Sequence, residues 1–202
     1  MGTGPAILRL VLRIAIVTAV VVAMVAVELT SRSGVVWRLV TFTYQANVLA
    51  AAYYLWTLAR PRADTRVGLR GAVVLYVLIA GVIWNLFLTD QSMGYTPANI
   101  VLHVVVPALA LSDWLLIGRG HGRVRWWYPI AWLAYPAAYA ALALGVLNGL
   151  GRRAPYYFLD PDGVGPEGVI ANIGVLGVAV LALGYVLLAV NRMATPARID
   201  AA

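Results

Sequence analysis

Residues Ile7 to Val27 read ILRLVLRIAIVTAVVVAMVAV. Two arginines and one threonine interrupt an otherwise apolar run. A helix rises about 1.5 Å per residue, so a run of about 20 residues covers the hydrocarbon core of a bilayer. Five later stretches share this character: Val35–Leu58, Gly71–Leu88, Pro97–Ile117, Trp127–Asn148 and Pro166–Val190. Arginine- and glycine-rich gaps separate them. Pro97 and Pro166 stand where a first helical turn begins, a place that tolerates proline. The spacing predicts an all-α polytopic membrane protein, a bundle of six transmembrane helices in one domain over residues 1–202. Residues 7–27 also have the outline of a signal peptide, with Arg9 and Arg13 before an apolar core. Ala23 to Glu28, AMVAVE, is a poor cleavage site, so the stretch is read as a retained helix.

Composition agrees. Of 202 residues, 62% are hydrophobic and 11% are charged. A soluble domain covers itself with roughly 25% charged residues. With no cysteine, thiolate metal sites, disulfides and thiol nucleophiles drop out together. The net charge of +7 is carried by arginine alone; with no lysine there is no Schiff-base chemistry. In a membrane protein such a balance reads as cytoplasmic loops touching anionic lipid, not as a nucleic-acid partner. No paired-histidine motif, phosphate loop or serine elbow is present, so neither metal nor cofactor is expected. His121, in the glycine-rich run 118–123, reads as a loop residue.

Arginine placement predicts the orientation. Arg9, Arg13, Arg60, Arg62, Arg66, Arg70, Arg119, Arg123, Arg125, Arg192 and Arg198 fall on one side, and Arg32, Arg38, Arg152 and Arg153 on the other. Both termini are therefore expected in the cytoplasm of a cell-membrane protein. Depth then follows from the helical rise. Thr43 lies roughly 12 Å below the outer surface and His103 roughly 9 Å. Thr41, Gln45, Asn47, Asn85, Asn99, Asn148 and Asn172 gather in the same outer third, while the inner halves of most spans are nearly pure Val, Leu, Ala, Ile and Gly. Polar groups inside a bilayer are costly, which makes this asymmetry informative. It points to a polar cavity opening toward the outer leaflet. Singly, each Asn reads first as interhelical glue. Asn99 and His103 share a helix face. Asp113 lies about 15 Å beyond His103 along the axis, too far to orient it; an ion pair with Arg119, Arg123 or Arg125 is expected instead. Pro107 between them is expected to kink span four.

Three segments occur in order: TFTYQAN at 41–47, HVVVPALALSDW at 103–114 and PYYFLD at 155–160. Together they resemble the bacterial six-helix branch of the androgen-induced-protein-like integral membrane family. The resemblance runs from span two to span six. Animal members of that family hydrolyse fatty-acid esters of hydroxy fatty acids through an intramembrane Thr and His. The resemblance implies a membrane hydrolase acting in lipid metabolism, with His103 as the base. Thr43 is the preferred nucleophile; Thr41 competes for that role.

The implied chemistry is coherent. A hydroxyl becomes a nucleophile when a nearby His takes its proton. Attack on a lipid ester gives an acyl-enzyme, with His returning the proton to the leaving alcohol. Asn47, Asn85 or Asn99 is expected to donate to the oxyanion. Asn172, Gln45 and Thr41 complete the candidate substrate-binding set. Glu28 and Asp90 are the nearest candidates to orient His103. The alternative function is a binding or transport protein for a small amphipathic molecule, using the same cavity without catalysis.

Overall fold

The computed structural model describes residues 3–30, 34–93, 95–117, 123–147 and 155–194. Arg32, Arg119, His121, Asn148, Arg152, Arg153 and Arg198 lie outside the described residues. Regular structure among the described residues is entirely helical. Contacts group the chain into two compact units, Met1–Arg125 with Leu187–Ala202, and Trp126–Val186.

The first unit holds helix α1 (Thr3–Thr30), a short α2 (Val35–Leu39) and α3 (Phe42–Ala59). A 3₁₀ turn (Pro61–Thr65) leads into α4 (Val67–Ile83), which continues as a π-helical segment over Trp84–Met93. The next rod is built of α5 (Pro97–Ile100), π-helical turns at Val101–Val105, α6 (Val106–Ser112) and further π-helical turns at Asp113–Ile117. Helix α1 buries Arg13, Ile16, Val20 and Ala23, a spacing that keeps them on one stripe. Its other faces, with Ile7, Val11, Ile14, Val22 and Val25, are exposed. That division suits a helix with lipid on most sides. Helix α3 turns Thr43, Ala46, Asn47, Ala50, Tyr53 and Tyr54 inward. Helix α4 is buried almost all round from Arg70 to Gly81 and packs on both α3 and α6. It is the centre of the unit.

Helix starts follow from local chemistry. Thr41 precedes α3 in extended conformation, and its Oγ1 accepts from the N–H of Tyr44. Thr96 does the same for Asn99, with Pro97 at the first helical position. Pro107 has no N–H to offer the carbonyl of His103, four residues back, and the turns just before it are wound as π-helix. The missing donor expected to kink span four thus acts on the backbone of His103 itself.

The second unit contains α7 (Tyr128–Trp132), α8 (Ala134–Ala141) and π-helical turns at Leu142–Leu147. A 3₁₀ turn at Tyr157–Leu159 then leads into α9 (Pro161–Ala194), whose first part belongs to this unit. Pro136 removes the N–H that would reach Trp132, and the helix is interrupted at Leu133. Gly165 has φ +74°, which glycine adopts without strain, and α9 restarts at Pro166. The expected first-turn role of Pro166 is met. The amide of Asn172 donates to the carbonyl of Phe158 at 3.0 Å. Gly184 lies against Pro129, where an added Cβ would come within 3.1 Å of the ring.

Among the described residues, four helical stretches are long and apolar enough to cross a membrane: Gly4–Thr30, Val67–Asp90, Pro97–Ile117 and Pro161–Met193. They match the expected first, third, fourth and sixth spans. Helix α3 alone is shorter and carries Thr43, Gln45 and Asn47; residues 128–147 are broken into pieces.

Candidate functional site

Helices α3 and α4 and the rod containing α5 and α6 meet around one hydroxyl–imidazole pair. Thr43 Oγ1 lies 3.1 Å from His103 Nε2. Thr43 is the second residue of α3, on the face that also carries Asn47. His103 stands in the π-helical turns at Val101–Val105. Both are buried, at 7% and 3% exposure.

The other ring nitrogen defines the roles. His103 Nδ1 lies 2.9 Å from the backbone oxygen of Asn99. A carbonyl can only accept, so the proton sits on Nδ1. In the neutral ring Nε2 is then the acceptor, and the Thr43 hydroxyl donates to it. This assignment follows from the hydrogen-bond pattern. It is the tautomer a base needs in order to take a proton from a hydroxyl. Neither Glu28 nor Asp90 orients the ring. Glu28 pairs with the guanidinium of Arg38, and Asp90 is exposed. A backbone carbonyl one turn back takes the place of the expected carboxylate.

Two further groups fix the pair. The indole of Trp84 stacks on the imidazole, with centroids 4.8 Å apart and planes 14° from parallel. Trp84 is fully buried, and Tyr95, an exposed residue, packs edge-on against it at 4.9 Å. Gly81, one turn before Trp84, meets the backbone of His103. A Cβ there would lie 2.5 Å from the His103 carbonyl oxygen and 3.3 Å from Pro107 Cγ. Only a residue without a side chain lets α4 approach this closely.

The expected amides divide. Asn47 Nδ2 donates to the carbonyl of Thr43 at 2.9 Å and to that of Leu102 at a longer 3.4 Å. Its two N–H groups are thus spent on the backbone of both site elements, and it has none left for an oxyanion. Its Oδ1 is buried and has no hydrogen-bond partner among the described residues. Asn85 is exposed and donates to the carbonyl of Gly81. Asn99 serves His103 through its main chain. Gln45 donates to the carbonyl of Leu39 at 2.8 Å. Thr41 caps α3 and donates to the carbonyl of Arg38 at 2.8 Å, so the hydroxyl that meets His103 is Thr43. Asn172 belongs to the second unit.

Sequence reasoning missed Trp84 and Gly81, because an aromatic and a glycine in an apolar span carry no mark of their own. It also misplaced the partners of Asp113. Asp113 Oδ1 receives Arg13 Nε at 3.2 Å, and its Oδ2 receives Arg70 Nη2 at 2.5 Å. Asp64, in the 3₁₀ turn, receives Arg13 Nη2 at 2.7 Å and faces Arg70 Nη1 at 3.8 Å. All four residues are fully buried. Arg123 and Arg125, expected as partners along with Arg119, are exposed. Among the described residues no group of acidic, histidine or cysteine side chains is arranged to hold a metal ion.

Comparisons with protein families, with characterised proteins and with solved structures each return no match.

Proposed function

We propose that the chain is a six-span protein of the cell membrane, with both termini cytoplasmic, that hydrolyses lipid esters. Thr43 is the nucleophile and His103 the general base. The observation that carries this reading is the 3.1 Å contact between Thr43 Oγ1 and His103 Nε2, in a ring whose other nitrogen is committed to a carbonyl. Each part has a role in acyl transfer. His103 takes the hydroxyl proton as Oγ1 attacks, then hands it to the departing alcohol. Water enters, His103 takes its proton, and the acid leaves with Thr43 restored. A lipid ester is the substrate class that suits a buried, uncharged site among apolar helices, because its tails stay in hydrocarbon while the carbonyl reaches the pair. The six-span reading adds α2 with α3, and residues 128–147, to the four helices that meet the length and apolarity of a span. The cytoplasmic placement rests on the arginine distribution, which also brings the loops to anionic lipid.

The test is purified protein offered a panel of long-chain ester lipids, among them fatty-acid esters of hydroxy fatty acids, with a fluorophosphonate label for the nucleophile. Thr43→Ala and His103→Ala should each abolish turnover and labelling. Their double variant should be no worse than either alone, as for residues that act as a unit. Saturable lipid binding without turnover in the wild type would hand the site to a binding protein instead.

A further inference from the structure

Acyl transfer needs a donor for the charge that develops on the carbonyl oxygen, and none of the asparagines near the pair offers a buried free N–H. Trp84 does. Its Nε1 is buried, has no acceptor among the described residues, and belongs to a ring lying against the imidazole of His103. A buried indole N–H normally finds a partner, because leaving it unmade costs the desolvation of the group. Here the ring that carries this N–H is stacked on the imidazole of the hydroxyl–imidazole pair.

We propose that the indole N–H of Trp84 is the oxyanion donor of the reaction assigned to Thr43 and His103, an inference that rests on that assignment. In the first step Thr43 Oγ1 forms a bond to the ester carbonyl carbon. Its proton passes to His103 Nε2, and the π pair of the carbonyl moves onto oxygen, which accepts from Trp84 Nε1. The pair returns, the C–O bond to the alcohol breaks, and the alcohol takes the proton from Nε2. Water then attacks the acyl-threonine in the same way. Its proton goes to Nε2, the oxygen again accepts from Trp84, and collapse releases the acid and returns the proton to Oγ1.

Three features support the position. Trp84 opens the π-helical segment over residues 84–93, and His103 lies in π-helical turns of its own; such turns occur often at functional sites. Gly81 clamps the two backbones together one turn away, which sets the stacking distance. Tyr95, an exposed residue, packs edge-on against the indole, so the buried ring lies one residue from the surface.

The experiment has two arms. Trp84→Phe keeps an aromatic ring and removes the N–H. Its kcat should fall by about 10²- to 10³-fold, the effect of losing one oxyanion donor, with KM little changed. Wild-type protein with ¹⁵N-labelled indoles is then followed before and after reaction with a fluorophosphonate, whose phosphoryl oxygen occupies the oxyanion position on Thr43. The Trp84 signal, picked out from the seven tryptophans by its loss in Trp84→Phe, should move downfield in the adduct. The adduct arm reads the wild-type protein, and if Trp84→Phe folds poorly the signal is assigned by elimination, from Trp→Phe changes at the other six tryptophans. A Trp84→Phe enzyme with wild-type kcat, or an indole signal that does not move in the adduct, overturns the proposal while leaving Thr43 and His103 in place. A wild type that hydrolyses no ester and takes no label overturns the parent assignment, and this inference with it.

Discussion

Replacing Gly81 by Ala tests whether the site geometry is set by the approach of α4 to His103. The new Cβ would lie 2.5 Å from the His103 carbonyl oxygen. Ordinary carbon–oxygen contacts begin at about 3.3 Å. One backbone must therefore give way by about 0.8 Å, the difference between those distances. The obstacle is main chain, with Pro107 Cγ 3.3 Å away on the same side, so no flexible side chain can swing aside. If the whole displacement ran along the hydrogen bond, the 3.1 Å contact between Thr43 and His103 would stretch beyond bonding distance. Overpacking of this kind costs about 1–3 kcal/mol. The gain in helix propensity from Gly to Ala returns up to about 1 kcal/mol. The net loss of stability should thus stay below about 2–3 kcal/mol. Turnover should suffer more, since a misplacement of about 1 Å costs on the order of 10²-fold. The assay is ester hydrolysis beside a thermal melt in detergent micelles. Gly174→Ala, where nothing lies within 4 Å of the new Cβ, is the control; it should leave turnover unchanged and melt no lower than the wild type. A Gly81→Ala protein that melts and turns over like the wild type would refute the reasoning, because the two backbones would then not be in fixed register.

Asp113→Asn should destabilise the protein by about 3–5 kcal/mol, by leaving two buried guanidiniums without their shared carboxylate, and should lower the melting temperature far more than the turnover of the folded fraction. Thr41→Ala removes a helix cap and should cost about 1 kcal/mol with turnover retained; complete loss of turnover would move the nucleophile to Thr41. Thr43→Ser should keep measurable hydrolysis where Thr43→Ala has none, since the hydroxyl and not the methyl meets His103. Reporter domains fused after Ala202 and near Gly165 should report cytoplasmic and external locations respectively; the reverse would invert the inner and outer ends used above.

The helical class and four of the expected spans were legible because they rest on apolar run length alone. The pairing of Thr43 with His103 was legible for a different reason. Both were expected at one depth from the reading of the arginines, and two polar side chains at one depth have few other partners. Gln45, Asn47, Asn85 and Asn172 were expected at that depth too, yet they bond backbone carbonyls, which residue type alone cannot distinguish. Asn47 is the clearest case, since its donors tie Thr43 to Leu102. The ion-pair network around Asp113 was hidden by position. Arg13 and Arg70 sit near span ends, where an arginine reads as a loop charge, and both are internal. The cue was available in the two acids, because Asp64 and Asp113 fall at that same end of the chain's spans.

The first unit therefore carries two polar centres at opposite ends of the same helices, and they differ in kind. His103 and Asp113 are ten residues apart on one rod, about 15 Å by helical rise. At the Asp113 end, two arginines face two aspartates in a fully buried and neutral set, with Arg9 at its rim. Every charge there has an opposite charge beside it, so removing one leaves another uncompensated in a low dielectric. That end clamps α1, the 3₁₀ turn, α4 and the end of the α6 rod. At the His103 end the buried guanidinium of Arg38 is paired with Glu28, and the hydroxyl–imidazole pair itself is uncharged. Buried polar atoms without hydrogen-bond partners among the described residues occur at both ends, Arg70 Nε and Tyr54 OH at the charged one; those at the His103 end include a donor, Trp84 Nε1, and an acceptor, Asn47 Oδ1. A matched charge network stabilises one packing, whereas unmatched neutral groups beside a hydroxyl–imidazole pair leave room for a substrate's own polar atoms. Stability and chemistry should accordingly separate: changes at Asp113 or Arg70 should shift the melting temperature, and changes at Thr43, Trp84 or His103 should shift turnover. A variant at the charged end that melted normally yet lost all turnover would place Asp113 in the reaction.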